Sequence, residues 1–376
     1  MAPIKVVHLS PHRDPFEPRT FFEALSGASA GLDVAVVAPH DRDEIRENVR
    51  VLGIPRYRSR LERVTVTCWR CVRRGRAERP DIYHLHEPDL IPWGLLLRLA
   101  GERVVYDVHE DYAAAAVVRS WLPDWARATV AAFVSGVSAI ARRAFTIVIA
   151  ERYYARLFPG GIEVLNYARL EEYAALQTIQ RQPPLRPRAL YTGSVTDSRG
   201  GRHHARLLEH LPADAELLLI GQCAVPELKL ELEARAAADR RLELHLSSGW
   251  VARDTIAACY AEPWTCGLAI FPDTPHYREK ELTKFFEYMA AGLPIICSDF
   301  PIWRDLVVGN GVGLAVDPED PAAAARALIW LHEHPVEAGE MGRRGRELVL
   351  SRFNWDSQGR RLIDVYRQMC GVPQAA

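Results

Sequence analysis

The residues best suited to chemistry lie between Phe271 and Pro301, where two glutamates and a lysine precede a short apolar run. Glu279 and Glu287 are separated by seven residues, and Lys284 stands between them. An ionised carboxylate is a strong hydrogen-bond acceptor for hydroxyl groups, and an ammonium group attracts anions such as a diphosphate. The spacing therefore predicts a site that holds both the phosphates and the hydroxyl groups of one ligand.

A short helix is expected to carry these charges. Thr283 is predicted to be its N-cap, residues 284–291 its body, and Gly292 its left-handed C-terminal residue. Pro294 then prevents any continuation of the helix before an apolar strand at residues 295–298. The helix N-terminus presents unpaired N–H groups and the positive end of the helix dipole, so an anion is expected there.

The pattern resembles the E-x7-E motif of retaining glycosyltransferases of family 4, which have the GT-B fold. The sequence KFFEYMAAGLPIICSDFP is also similar to the usual continuation in that family. The resemblance implies that Glu287 binds the ribose of a sugar nucleotide and that Glu279 contacts the donor sugar near the reacting centre. A surface helix with solvated charges is the alternative for the spacing alone, but the lysine, the helix stop and the strand together favour the family.

A glycine-bearing loop, YTGSVTDSRGG, follows a predicted strand in the second half of the chain. Gly193 and Gly200 allow the backbone to approach a phosphate closely. The loop resembles the one that supplies an arginine and a lysine to the diphosphate in the family. Arg199 matches the lysine position, whereas Ser194 stands where many members have the arginine. Lys284 is the candidate for the missing charge.

A turn after another strand, at residues 248–251, matches the place where members of the family meet the nucleotide base. Trp250 and Val251 are therefore candidate donor-binding residues, and Thr283 is a further one. Uridine and guanosine donors both fit the resemblance, and uridine is favoured by its frequency in the family.

A second candidate site follows a buried strand in the first half of the chain. The sequence VVYDVHEDY places His109 and Glu110 at the C-terminal end of this strand, where ligands bind in open α/β sheets. In the family, a histidine in this position lies by the donor sugar, while a histidine that caps the next helix is the alternative. The catalytic candidates are accordingly His109, Glu279, Arg199 and Lys284.

The loop after the first strand, SPHRDPFEPRTFFEAL, is rich in charge and lacks the G-x-G-x-x-G of a dinucleotide-binding oxidoreductase. Because such loops face the ligand crevice of an open α/β sheet, its charged residues are candidates for acceptor contact. A solvated loop is the alternative for each of them. The acceptor-side candidates are His12, Arg13, Glu17, Arg19 and Glu110.

No metal and no cofactor are expected besides the nucleotide-sugar co-substrate. Asp41 and Asp43 form a D-x-D motif, which is interpreted as a solvated turn because it lies just after a strand. His84 and His86 would share one face of a strand, as the ligands of a metal often do. The segment YHLHEPDLIP, however, resembles a stretch common in the same glycosyltransferase subgroup.

The elements that would position these residues alternate between strand and helix in both halves of the chain. This alternation predicts a parallel, doubly wound sheet in each half. We therefore expect two Rossmann-like α/β domains that face each other across a cleft, as in the GT-B fold. The predicted boundaries are residues 1–176 with a returning C-terminal helix at 353–376, a linker at 177–188, and residues 189–352.

Composition limits the class of protein. The 376 residues are 48% hydrophobic, enough for two ordinary cores, and a net charge of −1 gives no case for nucleic-acid binding. The N-terminus lacks the basic segment and apolar core of a signal peptide, so a cytoplasmic protein is expected. Core packing explains the apolar face of the stretch at residues 113–145, and peripheral contact with the inner face of the plasma membrane is left open. The oligomeric state is also left open.

These patterns predict a retaining glycosyltransferase of the bacterial polysaccharide or natural-product type. It would move a sugar from a nucleoside-diphosphate sugar to a small-molecule, glycan or lipid-linked acceptor. Fixed positive groups would stabilise the departing diphosphate in place of a metal. The alternatives are a hydrolysing sugar-nucleotide epimerase of the same fold and a catalytically silent nucleotide-sugar-binding subunit. The sugar and the attacked acceptor atom, whether O, N or S, are left open.

Overall fold

The computed structural model describes residues 2–112, 124–177, 181–249 and 251–372. The chain divides into two compact units, one of Met1–Asn166 with Asp356–Ala376 and the other of Tyr167–Trp355. Each unit contains one sheet whose strands alternate along the chain with helices. The predicted α/β class with a doubly wound sheet in each half is therefore confirmed.

The division between the units falls after Asn166, before the linker that the sequence placed at residues 177–188. Arg181, inside that segment, donates hydrogen bonds to the backbone carbonyls of Ala291 and Glu262 at 2.6 and 2.8 Å. These bonds attach the segment to the second unit. The segment is rich in proline and arginine, which suggested a linker, but one of these arginines, Arg181, anchors it to the second unit.

The first unit contains an eight-stranded sheet in the order β3-β4-β2-β1-β5-β6-β7-β8. Its strands are β1 (Lys5–Leu9), β2 (Asp33–Pro39), β3 (Glu44–Arg46), β4 (Val49–Ile54), β5 (Ile82–Leu85), β6 (Arg103–Val108), β7 (Thr146–Ile149) and β8 (Ile162–Glu163). All neighbouring strands pair in parallel except β3, which runs antiparallel to β4. The chain order reverses between β1 and β5, and ligands bind at such a point in open α/β sheets.

The second unit contains a six-stranded sheet in the order β11-β10-β9-β12-β13-β14, and all its pairs are parallel. Its strands are β9 (Arg188–Thr192), β10 (Glu216–Gln222), β11 (Leu242–Ser247), β12 (Cys266–Ala269), β13 (Ile295–Ser298) and β14 (Gly313–Val316). The chain order reverses between β9 and β12. The loops that follow these two strands are therefore expected to border a ligand site.

Helices connect most of the parallel strands, because a parallel pair needs a crossover connection. In the first unit they are α1 (Pro18–Ser29), α2 (Arg60–Glu62), α3 (Cys68–Ala77), α4 (Ile91–Leu99) and α5 (Asp124–Ala144). The second unit follows with α6 (Ala174–Gln177), α7 (Gly201–Arg206), α8 (Pro226–Ala238), α9 (Arg253–Ala261), α10 (Pro275–Arg278), α11 (Thr283–Ala291), α12 (Pro301–Val307), α13 (Pro321–Glu333) and α14 (Pro335–Ser351). The last helix is α15 (Trp355–Met369).

Proline opens many of these helices, and this explains where they begin. α1, α8, α10, α12, α13 and α14 all have proline as their first residue. Proline has no N–H to leave unpaired and its φ angle already suits a helix, so it favours helix initiation at that position.

Apolar strands form the core of each unit. Strands β5, β12 and β13 are buried along their whole length, as expected for central strands covered on both faces. Under the second sheet, the ring of Trp303 packs edge-on against Phe285 and Phe271 at 5.1 and 5.4 Å between ring centres. Among the described helices, none combines the length and the apolar composition needed to cross a membrane.

Candidate functional site

The loop after β9 is shaped by glycines that bring two backbone segments into contact. Gly193 follows β9 with a φ angle of +107°, and Gly221, near the end of β10, has a φ angle of +151°. A Cβ atom on Gly221 would lie only 1.9 Å from the carbonyl oxygen of Gly193. Any side chain there would push the loop outward, so these glycines keep the backbone at the carboxyl ends of the central strands in place.

Helix α11 starts at Thr283, so Thr283 is not the N-cap that the sequence predicted. Leu282 occupies the N-cap position with an extended backbone and makes no side-chain hydrogen bond there. A polar residue before an apolar run usually marks the N-cap, but here the helix begins one residue earlier and Thr283 is its first residue. The predicted helix end is confirmed, since Gly292 has a left-handed conformation with a φ angle of +68°.

Lys284 is buried at the start of α11, and its ammonium group points into an aromatic pocket. The Nζ atom lies 3.6 Å from the centre of the Tyr191 ring and 4.9 Å from that of Phe271. Within the described residues Nζ has no hydrogen-bond partner. A Cβ atom on Gly193 would lie 3.8 Å from Nζ, so the amine sits directly beside the glycine loop.

Burial lowers the pKa of Lys284 well below its ordinary value, and the nearby Arg199 guanidinium lowers it further, while Glu287 acts in the opposite direction. A buried cation that lacks an anionic partner is costly, and an incoming phosphate would remove that cost. The site is therefore prepared for an anion at the point where the glycine loop and helix α11 meet.

Glu287 lies one turn further along α11 and is held by a tyrosine. Tyr260 donates its hydroxyl hydrogen to Oε2 of Glu287 at 3.0 Å, and the same hydroxyl lies 2.8 Å from Oγ1 of Thr192. Burial and the Glu287 charge raise the pKa of Tyr260 well above its ordinary value, so the hydroxyl stays protonated. The carboxylate thus has a fixed direction.

A cavity of about 340 Å³ opens beside Glu287 in the second unit. Its described lining comes from the ends of β9 and β10, the first turns of α9 and Val251 just before it, Glu287 of α11, and the short helical segment Leu170–Tyr173. The lining residues are Glu172, Tyr173, Thr192, Gly193, Ser194, Gly221, Gln222, Val251, Asp254, Ile256, Ala257 and Glu287.

Four predicted donor-binding residues meet at this cavity: Gly193, Ser194, Val251 and Glu287. Trp250 lies outside the described residues. Thr283, at the start of α11, is exposed and does not line the described part of the cavity. The volume falls within the range of pockets that hold small ligands.

Arg199 and Gly200 lie at the C-terminal end of the glycine loop, just before helix α7. Arg199 is partly exposed, and its Nε donates to the hydroxyl of Tyr277 at 3.3 Å. Gly200 has a φ angle of +73°, and a Cβ atom there would meet the carbonyl oxygen of Ile270 at 1.9 Å. Gly200 therefore allows the loop to pack against the end of β12. Glu279 is the C-terminal cap residue of α10 and is only partly exposed.

In the first unit, His109 follows β6 and bonds to a carboxylate through its Nε2 atom. The Nε2 atom lies 2.6 Å from Oδ2 of Asp107, and the hydroxyl of Tyr154 donates to the His109 carbonyl at 3.0 Å. The side chain of His109 is 5% exposed. His109 is therefore fixed in both its backbone and its side chain at the edge where ligands bind in such sheets.

Arg19 has a structural position, which corrects its assignment as an acceptor contact. It is 5% exposed and holds Asp107 with two bonds of 2.7 Å, from Nε and from one terminal nitrogen. Its other terminal nitrogen donates to the carbonyl of Val164 and to Oδ1 of Asn166, both at 2.8 Å. The sequence showed a charge in a loop and could not show the buried carboxylate that it pairs with.

Of the other acceptor-side candidates, His12, Arg13 and Glu17 are partly buried and paired with one another or with the loop after β5, whereas Glu110 is exposed. Nε2 of His12 lies 2.9 Å from Oδ2 of Asp89, and Nε of Arg13 donates to Glu87 at 2.5 Å. Glu17 caps α1 by accepting from the backbone N–H of Thr20. Glu110 lines a smaller cavity of about 130 Å³ with Asp111, Tyr112 and residues of α5.

A buried cluster of possible metal ligands lies at the switch point of the first sheet. One ligand atom from each of His8, Glu23, His84 and His86 falls within 4.8 Å of the others. The three imidazole rings are nearly parallel, with interplanar angles of 14–27°, and Nδ1 of His8 lies 2.9 Å from Nε2 of His86. Burial lowers the pKa of each of the three rings, that of His86 to about 4, and raises that of Glu23.

One aspartate of the D-x-D motif, Asp43, binds to other parts of the first unit. Oδ1 of Asp43 accepts a hydrogen bond from the backbone N–H of Gly53 at 2.9 Å, and its other oxygen pairs with Arg74. Asp41 is exposed. The pair lies in the turn after β2, as its interpretation as a turn predicted.

Comparison with known proteins identifies both halves of the chain. Residues 23–160 match the family model of the glycosyl transferase 4-like domain, and residues 186–334 match that of the glycosyl transferases group 1. A phosphatidyl-myo-inositol mannosyltransferase of Mycobacterium leprae is 25% identical over 298 residues, which cover 76% of this chain and 73% of the relative.

Solved structures show the same architecture along nearly the whole chain. Sucrose-phosphate synthase of Thermosynechococcus elongatus superposes with a TM-score of 0.75 and 19% identity, covering 98% of this chain and 99% of the other. The Anabaena protein Alr3699/HepE, solved in complex with UDP-glucose, superposes with a TM-score of 0.70 and 12% identity, covering 97% and 100%. These likenesses confirm the GT-B fold, and together with the two matching family models they show that the chain belongs to the family 4 glycosyltransferases.

Proposed function

We propose that the protein transfers a sugar from a nucleoside-diphosphate sugar to an acceptor with retention of configuration at the anomeric carbon, without a metal ion. UDP is the favoured nucleotide and GDP the second choice. The acceptor is a small molecule, a glycan or a lipid-linked molecule.

The observation that carries this proposal is the arrangement of Lys284, Gly193 and Glu287. A buried amine without a hydrogen-bond partner among the described residues lies beside a glycine loop, and a fixed carboxylate lines the adjoining cavity. A diphosphate suits the amine and the loop, and a ribose diol suits the carboxylate, which accepts two hydroxyl hydrogens. A nucleoside diphosphate combines these two chemistries in one ligand.

Each candidate residue then has a chemical task. Lys284 and Arg199 stabilise the negative charge that grows on the departing diphosphate, which is the step where fixed positive groups act most strongly. Glu287 binds the ribose hydroxyls, Glu279 the donor sugar, and His109 orients or stabilises the reacting sugar. In a retaining reaction of this kind, the acceptor attacks from the face that the leaving group vacates, and a diphosphate oxygen accepts its proton.

Similar proteins support a nucleotide-sugar donor and suggest the acceptor class. The Anabaena structure contains UDP-glucose, and the mycobacterial relative is named for transfer of mannose to phosphatidyl-myo-inositol. A lipid-linked or glycan acceptor is consistent with such relatives, and assembly of a polysaccharide or a glycolipid is the expected setting.

Binding of the nucleotide is tested by thermal shift with UDP, GDP and ADP, each with and without EDTA. A ligand at a hundred times its dissociation constant adds about 2.7 kcal/mol to the free energy of unfolding. We expect UDP or GDP to stabilise the protein equally with and without EDTA. No shift with any of the three, or a shift that needs a divalent ion, would contradict the proposal.

A product assay separates the related functions. A hydrolysing epimerase releases an epimerised sugar from the donor alone, and a silent binding subunit leaves the donor intact. A transferase gives its main product only when an acceptor is present.

A further inference from the structure

Asp107 lies at the centre of a fixed set of contacts around His109. Its Oδ2 atom is 2.6 Å from Nε2 of His109 and 2.7 Å from Nε of Arg19, and its Oδ1 atom accepts from Arg19 at 2.7 Å. The side chain of Asp107 is fully buried. Two planar groups, a guanidinium and an imidazole, therefore meet on one carboxylate.

Arg19 cannot rotate away from this carboxylate without losing several other bonds. Its second terminal nitrogen binds Val164 and Asn166, and Glu23 lies 3.2 Å from the first. A bidentate pair between a guanidinium and a carboxylate also fixes the plane of both groups. The position of Asp107 is thus set by Arg19 independently of His109.

The charge on Asp107 decides which nitrogen of His109 carries hydrogen. Burial alone would raise the pKa of Asp107, but Arg19 and His109 hold it well below its usual range. An ionised carboxylate only accepts hydrogen bonds, so Nε2 of the neutral His109 ring carries the hydrogen and donates it. Within the described residues, Nδ1 of His109 has no hydrogen-bond partner in the structure.

We propose that Asp107, held by Arg19, is a positioning residue that fixes the tautomer of His109 so that the Nδ1 lone pair is presented to the ligand. Nδ1 then accepts a hydrogen bond from a hydroxyl group of the donor sugar. This inference rests on the proposed role of His109 in sugar transfer. It adds that Nδ1 is the ring atom that contacts the sugar, and that Asp107 and Arg19 determine the tautomer.

The neighbouring histidine does not supply this control. Nδ1 of His86 lies 3.2 Å from Nε2 of His109 and 3.5 Å from Oδ2 of Asp107. Burial lowers the pKa of His86 to about 4, so it is neutral at physiological pH and carries no charge with which to orient the ring. The carboxylate is the anion that contacts His109 directly within the described residues.

The direct test is the ¹⁵N chemical shift of the His109 ring, measured in protein labelled at histidine and assigned with His109→Gln. Spectra are recorded over a pH series, and the tautomer is assigned where the ring carries a single hydrogen. We expect a protonated Nε2 and an unprotonated Nδ1 in the unsubstituted protein. A ring protonated at Nδ1 would overturn the proposal, whatever the activity of any variant.

Asp107→Asn provides the kinetic test because it keeps the shape and removes one of the two acceptor oxygens. Oδ2 contacts both Nε of Arg19 and Nε2 of His109, so the amide either keeps its oxygen towards both donors or turns its N–H₂ towards His109. In the second orientation Nε2 must accept and the hydrogen moves to Nδ1, and we expect kcat to fall on the order of a hundredfold for that tautomer, with the KM for the donor nearly unchanged. The ¹⁵N pattern of the variant gives the share of each tautomer, and kcat should fall with the share that has hydrogen on Nδ1. Unchanged kcat in a folded variant with an inverted tautomer would contradict the proposal, as would a hundredfold lower kcat with the tautomer retained.

Asn166→Ala is the matched control. It removes another acceptor of Arg19, 2.8 Å from the guanidinium, without touching His109. A lower melting temperature with an unchanged ¹⁵N pattern and kcat is expected. If Asn166→Ala lowers kcat as much as Asp107→Asn does, the effect is one of general packing and the positioning role is wrong.

The outcomes also separate this inference from the proposed function. If no nucleotide sugar is turned over by the unsubstituted protein, the proposed function fails, while the tautomer is still measured by ¹⁵N shifts. If transfer is observed but the tautomer is the opposite one, only the positioning role fails.

Discussion

Nζ of Lys284 lies 3.6 Å from the centre of the Tyr191 ring and has no hydrogen-bond partner among the described residues. The aromatic face offers the amine a weak attraction in place of the water that burial removes. Without a ligand, the charged form of Lys284 is therefore poorly stabilised, and a bound anion would stabilise it.

Binding of a nucleoside diphosphate is expected to take up a proton at Lys284. In the free protein, burial and Arg199 lower the pKa of Lys284, and a bound diphosphate would raise it again. Between these two pKa values, affinity should fall as the pH rises, by up to about tenfold per pH unit. Calorimetric titration of UDP in buffers with different ionisation enthalpies measures the uptake.

Lys284→Met is the control for this proton uptake. The variant should bind UDP more weakly and without the lysine-linked proton. Without ligand, the folded protein holds fewer protons at Lys284 than the unfolded chain, so its contribution to stability improves as the pH rises towards the ordinary lysine value. Equal proton uptake by the variant and the unsubstituted protein would show that Lys284 does not bind the phosphates.

Arg199→Ala should lower kcat more than it weakens binding of the donor. The charge that Arg199 meets grows as the bond to the diphosphate breaks, and a fall in kcat of roughly 10- to 100-fold is expected. Steady-state kinetics at saturating donor measures this change. Arg206→Ala, which removes an exposed arginine from the same segment, is the control and should leave kcat unchanged. Equal effects of the two substitutions would show that net surface charge is responsible.

Glu287→Gln keeps the size of the side chain but removes the negative charge that accepts hydrogen bonds from the ribose hydroxyls. It should therefore weaken donor binding. A loss of roughly 1–3 kcal/mol is expected for hydrogen bonds to a charged group. Calorimetry with UDP measures it, with Glu333→Gln on the exposed end of α13 as the control. If UDP binds Glu287→Gln as tightly as it binds the control, the ribose assignment is wrong.

Local features of this site were predictable from the sequence because they depend on neighbouring residues. Helix α11 and its end at Gly292 follow from a proline, a glycine and an apolar run within a few positions. The alternation of strands and helices likewise predicted both parallel sheets. These signals act over short distances along the chain, so sequence patterns carry them directly.

Long-range partners were not predictable in the same way. Arg19 pairs with Asp107 across 88 positions, and Glu287 accepts from Tyr260 across 27. Tyr191, which faces Lys284, looked like an ordinary strand residue. The pattern of the sequence gives the type of each residue, but its partner depends on which strand lies beside it.

Gly221→Ala should destabilise the protein by roughly 3 kcal/mol, since it combines a positive φ angle with a contact of 1.9 Å to the carbonyl of Gly193. Gly339→Ala in helix α14 is the matched control, because a Cβ atom there meets nothing within 4 Å. The control should be neutral or slightly stabilising, as expected for alanine in a helix. Thermal unfolding of both variants measures the difference, and equal melting temperatures would show that the glycine loop tolerates a side chain.

The most direct test of retaining transfer is the configuration of the sugar that the protein releases when water is the acceptor. A UDP-α-sugar is incubated with the protein and the first seconds to minutes are followed by ¹H NMR, before the free sugar equilibrates its anomers. We predict that the α-anomer appears first, together with UDP, with and without EDTA. Initial release of the β-anomer, or of an epimerised sugar, would contradict the account.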